Sequence, residues 1–221
     1  VAVYHHQLLK QNPAARLRVK SNLLLIGPTG VVKTWLVENL ARLLSVPCVI
    51  ADATAFTEAG YVGEDADHVL SLLYDRANGD RFEAEHGIVF LDEIDKLGSD
   101  YKGDPSSALL EVLDSAQNSS FRDHYIEVPF DLSHCMFITT ANTTDTIPRA
   151  LLDRMEVIEL GSYTDEEKLQ IAKQHLLPKQ LKQHGMKRTQ VRVSDDAIRE
   201  IIAGYTRESG VRNLERQLAA L

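Results

Sequence analysis

The hydrophobic positions of the chain follow two periods, and each period predicts a different kind of element. Short runs rich in apolar residues predict strands of a parallel sheet that is buried on both faces. These runs lie at residues 22–26, 47–50, 88–91, 135–140 and 155–160. Between them, apolar residues recur at helical spacing over residues 33–44, 65–77 and 106–113. Strands that alternate with helices predict an α/β fold with a doubly wound, five-stranded parallel sheet.

The pattern changes after Gly161. Residues 165–177 and 195–204 have helical periods, and only residues 190–193 between them have the composition of a short strand. We therefore expect two domains, a large α/β domain at residues 1–160 and a small, mostly helical domain at residues 161–221. Both ends of the chain fall within predicted helices, so we expect a fragment of a longer polypeptide whose small domain is truncated.

Composition excludes several classes of protein. The chain carries 32 acidic and 24 basic residues, a formal net charge of −8. A chain with this charge has no overall positive potential that would attract nucleic acid. It has neither an apolar run long enough to span a membrane nor an amino-terminal signal segment. We expect no membrane partner, and a location in the bacterial cytoplasm or the mitochondrial matrix.

A loop with the residues of a phosphate-binding site follows the first predicted strand. It comprises Gly27, Pro28, Thr29, Gly30, Val31, Val32, Lys33 and Thr34. Between a strand and a helix, such a loop surrounds phosphates with backbone N–H groups, with Lys33 on phosphate and Thr34 on Mg²⁺. The pattern requires glycine where Val32 stands, and a β-branched side chain there would crowd the phosphate. Taken alone, the loop fits a phosphate site and an ordinary Gly-Pro turn equally well.

Two adjacent carboxylates, Asp92 and Glu93, follow the third predicted strand. The carboxyl edge of a parallel sheet is where such folds bind ligands. Asp92 would hold Mg²⁺ through its water shell, and Glu93 would polarise the water that attacks the γ-phosphate. An isolated Asp-Glu pair is usually a solvated turn, but its combination with the loop favours a nucleotide site. We therefore predict ATP and Mg²⁺ as cofactors.

These motifs resemble those of the AAA+ ATPases, and the resemblance extends over essentially the whole chain. It includes the polar strand end at residues 139–142, the turn at residues 151–155 and the segment at residues 209–212. Residues 1–95 resemble the ClpX family of unfoldases, with the HslU unfoldases as more distant relatives. Residues 96–221 resemble the ATPase module of the Lon proteases. Such a mosaic is either a natural intermediate family or an engineered chimera.

The resemblance implies roles for three further residues. Asn142 corresponds to sensor 1, an amide near the γ-phosphate, although an asparagine here could also cap a turn. Arg154 corresponds to the arginine finger that reaches a neighbouring subunit's nucleotide, with Arg149 as the second choice. Arg212 corresponds to sensor 2 on the helical lid, which is the family's name for the small domain. For each arginine, an ordinary surface charge is the alternative.

Two segments resemble loops that line the central pore of ring-shaped unfoldases. Tyr61 and Val62 lie between glycines, where an aromatic side chain could grip an extended polypeptide by non-specific packing. The alternative is a tyrosine packed in a local turn. Tyr101, in a second polar segment, is the weaker candidate.

The resemblance implies an ATP-dependent unfoldase and translocase of an AAA+ protease. Its partners would be unfolded or tagged proteins, further copies of the chain in a ring of six, and a peptidase domain or subunit outside this chain. No peptidase site is expected in the chain itself. One alternative is an assembly or regulatory module whose nucleotide binding is impaired by Val32. The other is a DNA-remodelling AAA+ motor, but the negative net charge and the Tyr61 segment argue against it.

Overall fold

The computed structural model describes residues 2–11, 22–53, 66–97, 105–114, 121–122 and 129–221. By its contacts the chain divides into two compact units. The first unit comprises Val1–Ile26 and Lys33–Glu159, and the second comprises Gly27–Val32 and Leu160–Leu221.

A five-stranded parallel sheet forms the centre of the first unit. The described strands, in chain order, are β1 (Asn22–Ile26), β2 (Cys48–Asp52), β3 (Ile88–Asp92), β4 (Phe121–Arg122), β5 (Pro129–Phe130), β6 (Met136–Ala141) and β7 (Met155–Glu159). The sheet has the order β2-β3-β6-β1-β7, and β4 pairs separately with β5 in antiparallel fashion. All four pairings within the large sheet are parallel. The predicted α/β fold with a five-stranded parallel sheet is confirmed.

Six helices of the first unit are described. They are α1 (Ala2–Gln11), α2 (Lys33–Leu44), α3 (Ala66–Arg76), α4 (Arg81–Glu85), α5 (Pro105–Leu113) and α6 (Arg149–Leu152). There are also two single 3₁₀ turns: Ile94–Lys96 follows β3, and Leu132–His134 follows β5. The amphipathic helix α2 shows why the periodic pattern was informative: its buried residues are Lys33, Val37 and Ala41, which lie on one face at intervals of four.

The sheet supplies most of the core of the first unit. Leu24 of β1, Phe90 of β3 and Phe137 of β6 are almost completely buried. Each such side chain stabilises the fold by roughly 1.5–3 kcal/mol relative to an exposed one. Because the central strands are buried along their whole length, polar side chains can reach solvent or a ligand only where these strands end.

The second unit is helical. It contains α7 (Asp165–Ile171), which passes through a π-helical turn into α8 (Leu177–Gln183), then α9 (Asp195–Glu200) and α10 (Arg212–Ala219). Thr164 begins α7 with a capping box, because its hydroxyl accepts the Glu167 N–H while the Glu167 carboxylate accepts the Thr164 N–H. The buried core of this unit comprises Leu169, Ala172, Leu176, Ile198, Ile202, Val211, Leu214 and Leu218.

One predicted element is wrong. Residues 190–193 were expected to form a strand, but they form the end of a turn followed by an irregular segment. Val193 packs against the core of the second unit, which explains its apolar character, but no described strand of that unit lies beside it for pairing. Among the described residues, no helix has the length and apolar character needed to cross a membrane.

Candidate nucleotide site

Thr140 joins the carboxyl ends of β3 and β6. These strands pair in parallel, with Leu91 opposite Thr139, so the next residues along each strand also lie side by side. The Thr140 hydroxyl donates a hydrogen bond to Asp92 Oδ1. The same hydroxyl accepts the Glu93 backbone N–H at 3.0 Å. One buried side chain therefore contacts both members of the predicted carboxylate pair.

Glu93 has an uncommon backbone conformation. Its φ of 60° and ψ of 44° place it in the left-handed region, which costs a residue other than glycine roughly 1–2 kcal/mol. Its carboxylate Oε2 lies 2.7 Å from the ammonium of Lys96. This hydrogen bond raises the pKa of Lys96. The turn after β3 thus directs the Glu93 side chain out of the sheet and holds it beside a cation.

Lys33 is a buried cation at the start of α2. Its ammonium donates to the Ala141 carbonyl oxygen at 3.0 Å and to Asn142 Oδ1 at 3.2 Å. Burial lowers the pKa of Lys33, and the attraction of Asp92, Asp95 and Glu93 acts in the opposite direction. The sheet edge therefore brings the predicted loop lysine, both predicted carboxylates and the predicted sensor amide into one cluster.

Asp95 supports the Asn142 side of this cluster. Its Oδ2 accepts the Asn142 backbone N–H at 3.1 Å, and its backbone carbonyl accepts the Thr146 hydroxyl at 2.6 Å. Its Oδ1 is buried without a hydrogen-bond partner among the described residues. Asp95 thereby ties the turn after β3 to the turn after β6.

The side chains at this edge suit a magnesium-phosphate group. Mg²⁺ prefers oxygen ligands from one or two protein groups and keeps several waters. Asp92 offers a carboxylate that is only partly buried, and the half-buried Thr34 offers a hydroxyl next to Lys33 in sequence. A buried ammonium is a suitable partner for phosphate oxygens. These residues would hold the cation and its phosphates.

The remaining loop residues belong to the second unit. Gly27 and Val31 are buried, Pro28 and Gly30 are half-buried, and Thr29 and Val32 are exposed. Gly30 has a φ of +90°, which glycine adopts without strain.

The loop contacts the start of α10 within the second unit. The Gly30 carbonyl accepts the Val211 N–H at 3.2 Å. A Cβ on Gly210 would lie 2.4 Å from the Gly30 carbonyl carbon, so only glycine fits this close backbone approach. A Cβ on Gly30 would lie 3.2 Å from the Cβ of Arg212. The predicted sensor 2 residue therefore lies beside the loop.

Glu208 fixes the start of α10. Its two carboxylate oxygens accept the N–H groups of Asn213 and Leu214 at 2.9 and 2.8 Å. The buried Lys168 donates to the Glu208 backbone carbonyl. Arg212, the first residue of α10, thus lies at a helix end where Glu208 accepts two of the backbone N–H groups.

The two candidate arginine fingers have different surroundings. Arg154 donates to the Ala150 carbonyl at 2.9 Å and to Asp114 Oδ2 at 3.2 Å. Arg149 is exposed at the start of α6. Arg154 is therefore presented in a defined direction by its own chain.

Three predicted site residues, Tyr61, Val62 and Tyr101, lie outside the described residues. Conversely, three residues that contact the cluster are not among the predicted site residues: Thr140, Asp95 and Lys96. Two consecutive threonines inside an apolar strand were the available signal for Thr140, because a buried hydroxyl needs a hydrogen-bond partner.

The sequence of the chain matches two known protein families. Residues 23–163 match the ATPase family associated with various cellular activities (AAA). Residues 182–221 match the Lon protease AAA+ ATPase lid domain.

Curated relatives at about half identity include several Lon proteases. The chain is 54% identical over 201 residues to the Lon protease of Desulforamulus reducens, which covers 90% of this chain and 25% of that protein. It is 52% identical over 198 residues to the Lon protease of Heliobacterium modesticaldum, covering 89% and 24%. It is 53% identical over 201 residues to the Lon protease of Dictyoglomus thermophilum, covering 90% and 25%. The chain thus spans about a quarter of the length of these relatives.

These matches refine the mosaic inferred from sequence. They cover about nine-tenths of the chain, so similarity to Lon proteases is not confined to residues 96–221. The ClpX-like character of the first half remains a prediction. The two family matches show that the chain belongs to the AAA family of ATPases and carries a lid domain of the Lon protease type.

Proposed function

We propose that this chain is the ATP-hydrolysing module of a Lon-type protease, which unfolds polypeptides and moves them through a ring of subunits. The observation that carries the proposal is the cluster of Lys33, Asp92, Glu93 and Asn142 at the carboxyl edge of one sheet. A buried ammonium beside carboxylates and an amide suits nucleotide hydrolysis better than a solely structural role, because burying the Lys33 cation is costly.

The residues of the cluster would act together on a bound nucleotide. Mg²⁺, when bound, would neutralise charge on the phosphate that is cleaved. Lys33 would bind phosphate oxygens, and Thr34 and Asp92 would hold the cation. Glu93 would accept a proton from the attacking water, and Asn142, from its resemblance to sensor 1, would orient that water through its amide.

Lys96 contacts the proposed base. Its ammonium donates a hydrogen bond to Glu93 Oε2 at 2.7 Å in the turn after β3. This contact limits the orientations of the Glu93 carboxylate. Lys96 therefore helps to position the group that would accept the proton from water.

The remaining parts of the proposal rest on resemblance to Lon-type and other AAA+ proteins. Arg154 and Arg212 are assigned to the nucleotide as arginine finger and sensor 2. Tyr61, Val62 and Tyr101 are assigned to the substrate, an unfolded or tagged polypeptide. The ring is a homo-hexamer, and the peptidase is a domain or subunit outside the chain.

Replacing Glu93 with glutamine tests the proposal. Glu93→Gln keeps the size of the side chain and the backbone bond to Thr140 but removes the base. We expect hydrolysis to fall by at least about 100-fold, because general-base catalysis contributes roughly 10²–10⁴-fold. The affinity for a fluorescent ATP analogue should change by less than about twofold, since the base contributes mainly in the transition state. Phosphate release and equilibrium titration measure the two quantities.

A matched control is Glu166→Gln, which removes one charge from an exposed ion pair with Arg199 in the second unit. This variant should retain hydrolysis. Undiminished turnover by Glu93→Gln would exclude Glu93 as the base, and the absence of nucleotide binding by the unmodified chain would overturn the proposed function.

A further inference from the structure

We propose that Thr140 is a positioning residue for ATP hydrolysis, fixing the Asp92 carboxylate and the direction in which the Glu93 side chain leaves the main chain. The inference rests on the proposed function, because it assigns Asp92 to the cation and Glu93 to the water. The Thr140 hydroxyl contacts Asp92 and Glu93, so Thr140 acts through these two residues.

Thr140 is suited to this role because both hydrogen-bonding capacities of its hydroxyl are used at the site. The hydroxyl hydrogen is donated to Asp92 Oδ1, and the oxygen accepts the Glu93 backbone N–H at 3.0 Å. The side chain is completely buried, so water does not compete for either bond. A donor to one carboxylate oxygen sets the rotation of the Asp92 carboxyl group, which would help to hold the cation.

The second bond acts on the backbone of Glu93. Glu93 adopts a left-handed conformation that residues with a side chain rarely choose. Such conformations persist only when surrounding interactions hold them, and they concentrate at functional sites. The Thr140 hydroxyl is one of these interactions, because it holds the N–H of the strained residue.

The neighbouring Thr139 provides a matched comparison. It lies on the same strand and is equally buried. Its hydroxyl lies 3.1 Å from the Leu23 carbonyl oxygen and 3.2 Å from Met155 Sδ, and these contacts belong to the core of the sheet. Replacing either threonine with valine removes one hydroxyl from the same strand. Of the two hydroxyls, that of Thr140 contacts Asp92 and Glu93, whereas that of Thr139 contacts the core.

The test compares Thr140→Val with Thr139→Val and Thr140→Ser. We expect Thr140→Val to lower kcat by roughly 10–100-fold, because small misplacements of catalytic groups have effects of this size. Its KM for ATP should stay within about twofold, and the Mg²⁺ concentration for half-maximal turnover should rise. Thr139→Val should keep kcat within about twofold, even where its thermal stability falls. Thr140→Ser should recover most of the lost activity, since it restores the hydroxyl.

A second measurement does not depend on activity. Hydrogen exchange of the Glu93 amide should be faster in Thr140→Val than in Thr139→Val or the unmodified chain, because the amide loses its acceptor. If the unmodified chain hydrolyses no ATP, the proposed function fails and this exchange alone decides whether Thr140 holds Glu93. Equal exchange, or equal kcat in the two valine variants of an active chain, would overturn the inference.

Discussion

At the scale of single residues, Val32 is the main departure from a phosphate-binding loop. Its side chain is 42% exposed, whereas that of the preceding Val31 is buried. The exposed side chain occupies the position from which a glycine would let phosphate approach the backbone. The effect of Val32 on ATP affinity therefore decides between an active ATPase and a module with impaired nucleotide binding.

Replacing Val32 with glycine should strengthen ATP binding by about tenfold or more, because it removes the crowding side chain. Val32→Ala, which removes the β-branch but keeps a Cβ, should have an intermediate affinity and controls for the added backbone freedom of glycine. Isothermal titration with Mg-ATP gives the three dissociation constants. Equal affinities would show that Val32 does not crowd the phosphate, and binding by the glycine variant alone would favour the impaired module.

The candidate site residues that the sequence predicted belong to contiguous motifs. Lys33, Asp92 and Glu93 could be predicted because they lie in characteristic strings at or after the end of a strand, and the structure places them near one another. The contacts of Thr140 and Asp95 could not, because they depend on the register of β3 against β6 and on the turns that follow these strands. A sequence shows which residues end a strand, but it does not show which of them face each other across a sheet.

At the scale of elements, the predicted strands of the sheet agree with the observed ones to within one or two residues at either end. The apolar runs of the central strands β1, β3 and β6 are almost completely buried, which makes their signal strong. The short helix α4 and the paired strands β4 and β5 were not predicted, because five residues of a helix or two of a strand are too few to show a period. Residues 190–193 have the composition of a strand, but none of the described strands pairs with them.

Helix α10 depends on a cap outside the helix. Glu208→Ala should lower the free energy of unfolding of the second unit by about 1–2 kcal/mol, because two backbone N–H groups lose their acceptors. Glu208→Gln should cost less, since one oxygen remains as an acceptor. Urea unfolding monitored by helical circular dichroism measures both changes.

The control for this prediction is Glu200→Ala, at the end of α9, whose exposed carboxylate caps no helix. It should change the stability by less than about 0.5 kcal/mol. Similar losses for Glu208→Ala and Glu200→Ala would argue that the cap on α10 contributes nothing particular.

At the scale of the whole molecule, the proposed ring requires that one subunit acts on the nucleotide of the next. Arg154 is the candidate for this action, and it is bound to Asp114 and Ala150 of its own chain. These contacts are compatible with a finger that also binds a neighbour's nucleotide, because a guanidinium has five N–H donors and the described residues accept bonds from two of its nitrogens.

Mixing two inactive variants tests action between subunits. Arg154→Ala should lower turnover by about 10³-fold, the size of effect expected of an arginine finger. Glu93→Gln should also be inactive, but it retains Arg154. If Arg154 acts on a neighbour, mixed rings contain sites with both Glu93 and a neighbour's Arg154, so the mixture should hydrolyse ATP faster than either variant alone.

The same mixing experiment with Arg149→Ala shows which arginine is responsible. Recovery only with Arg149→Ala would move the finger to that residue. A mixture with no more activity than its components, although light scattering shows mixed rings, would mean that neither arginine works between subunits.

The strand order has a consequence for how the chain is synthesised. Both neighbours of β1 in the sheet, β6 and β7, lie more than a hundred residues later in the chain. During synthesis, β1 has no native partner until β6 has left the ribosome, and its second partner comes later still. The apolar strand β1 therefore lacks its native neighbours while the residues between β1 and β6 are synthesised, and such a segment is then prone to aggregation or chaperone capture.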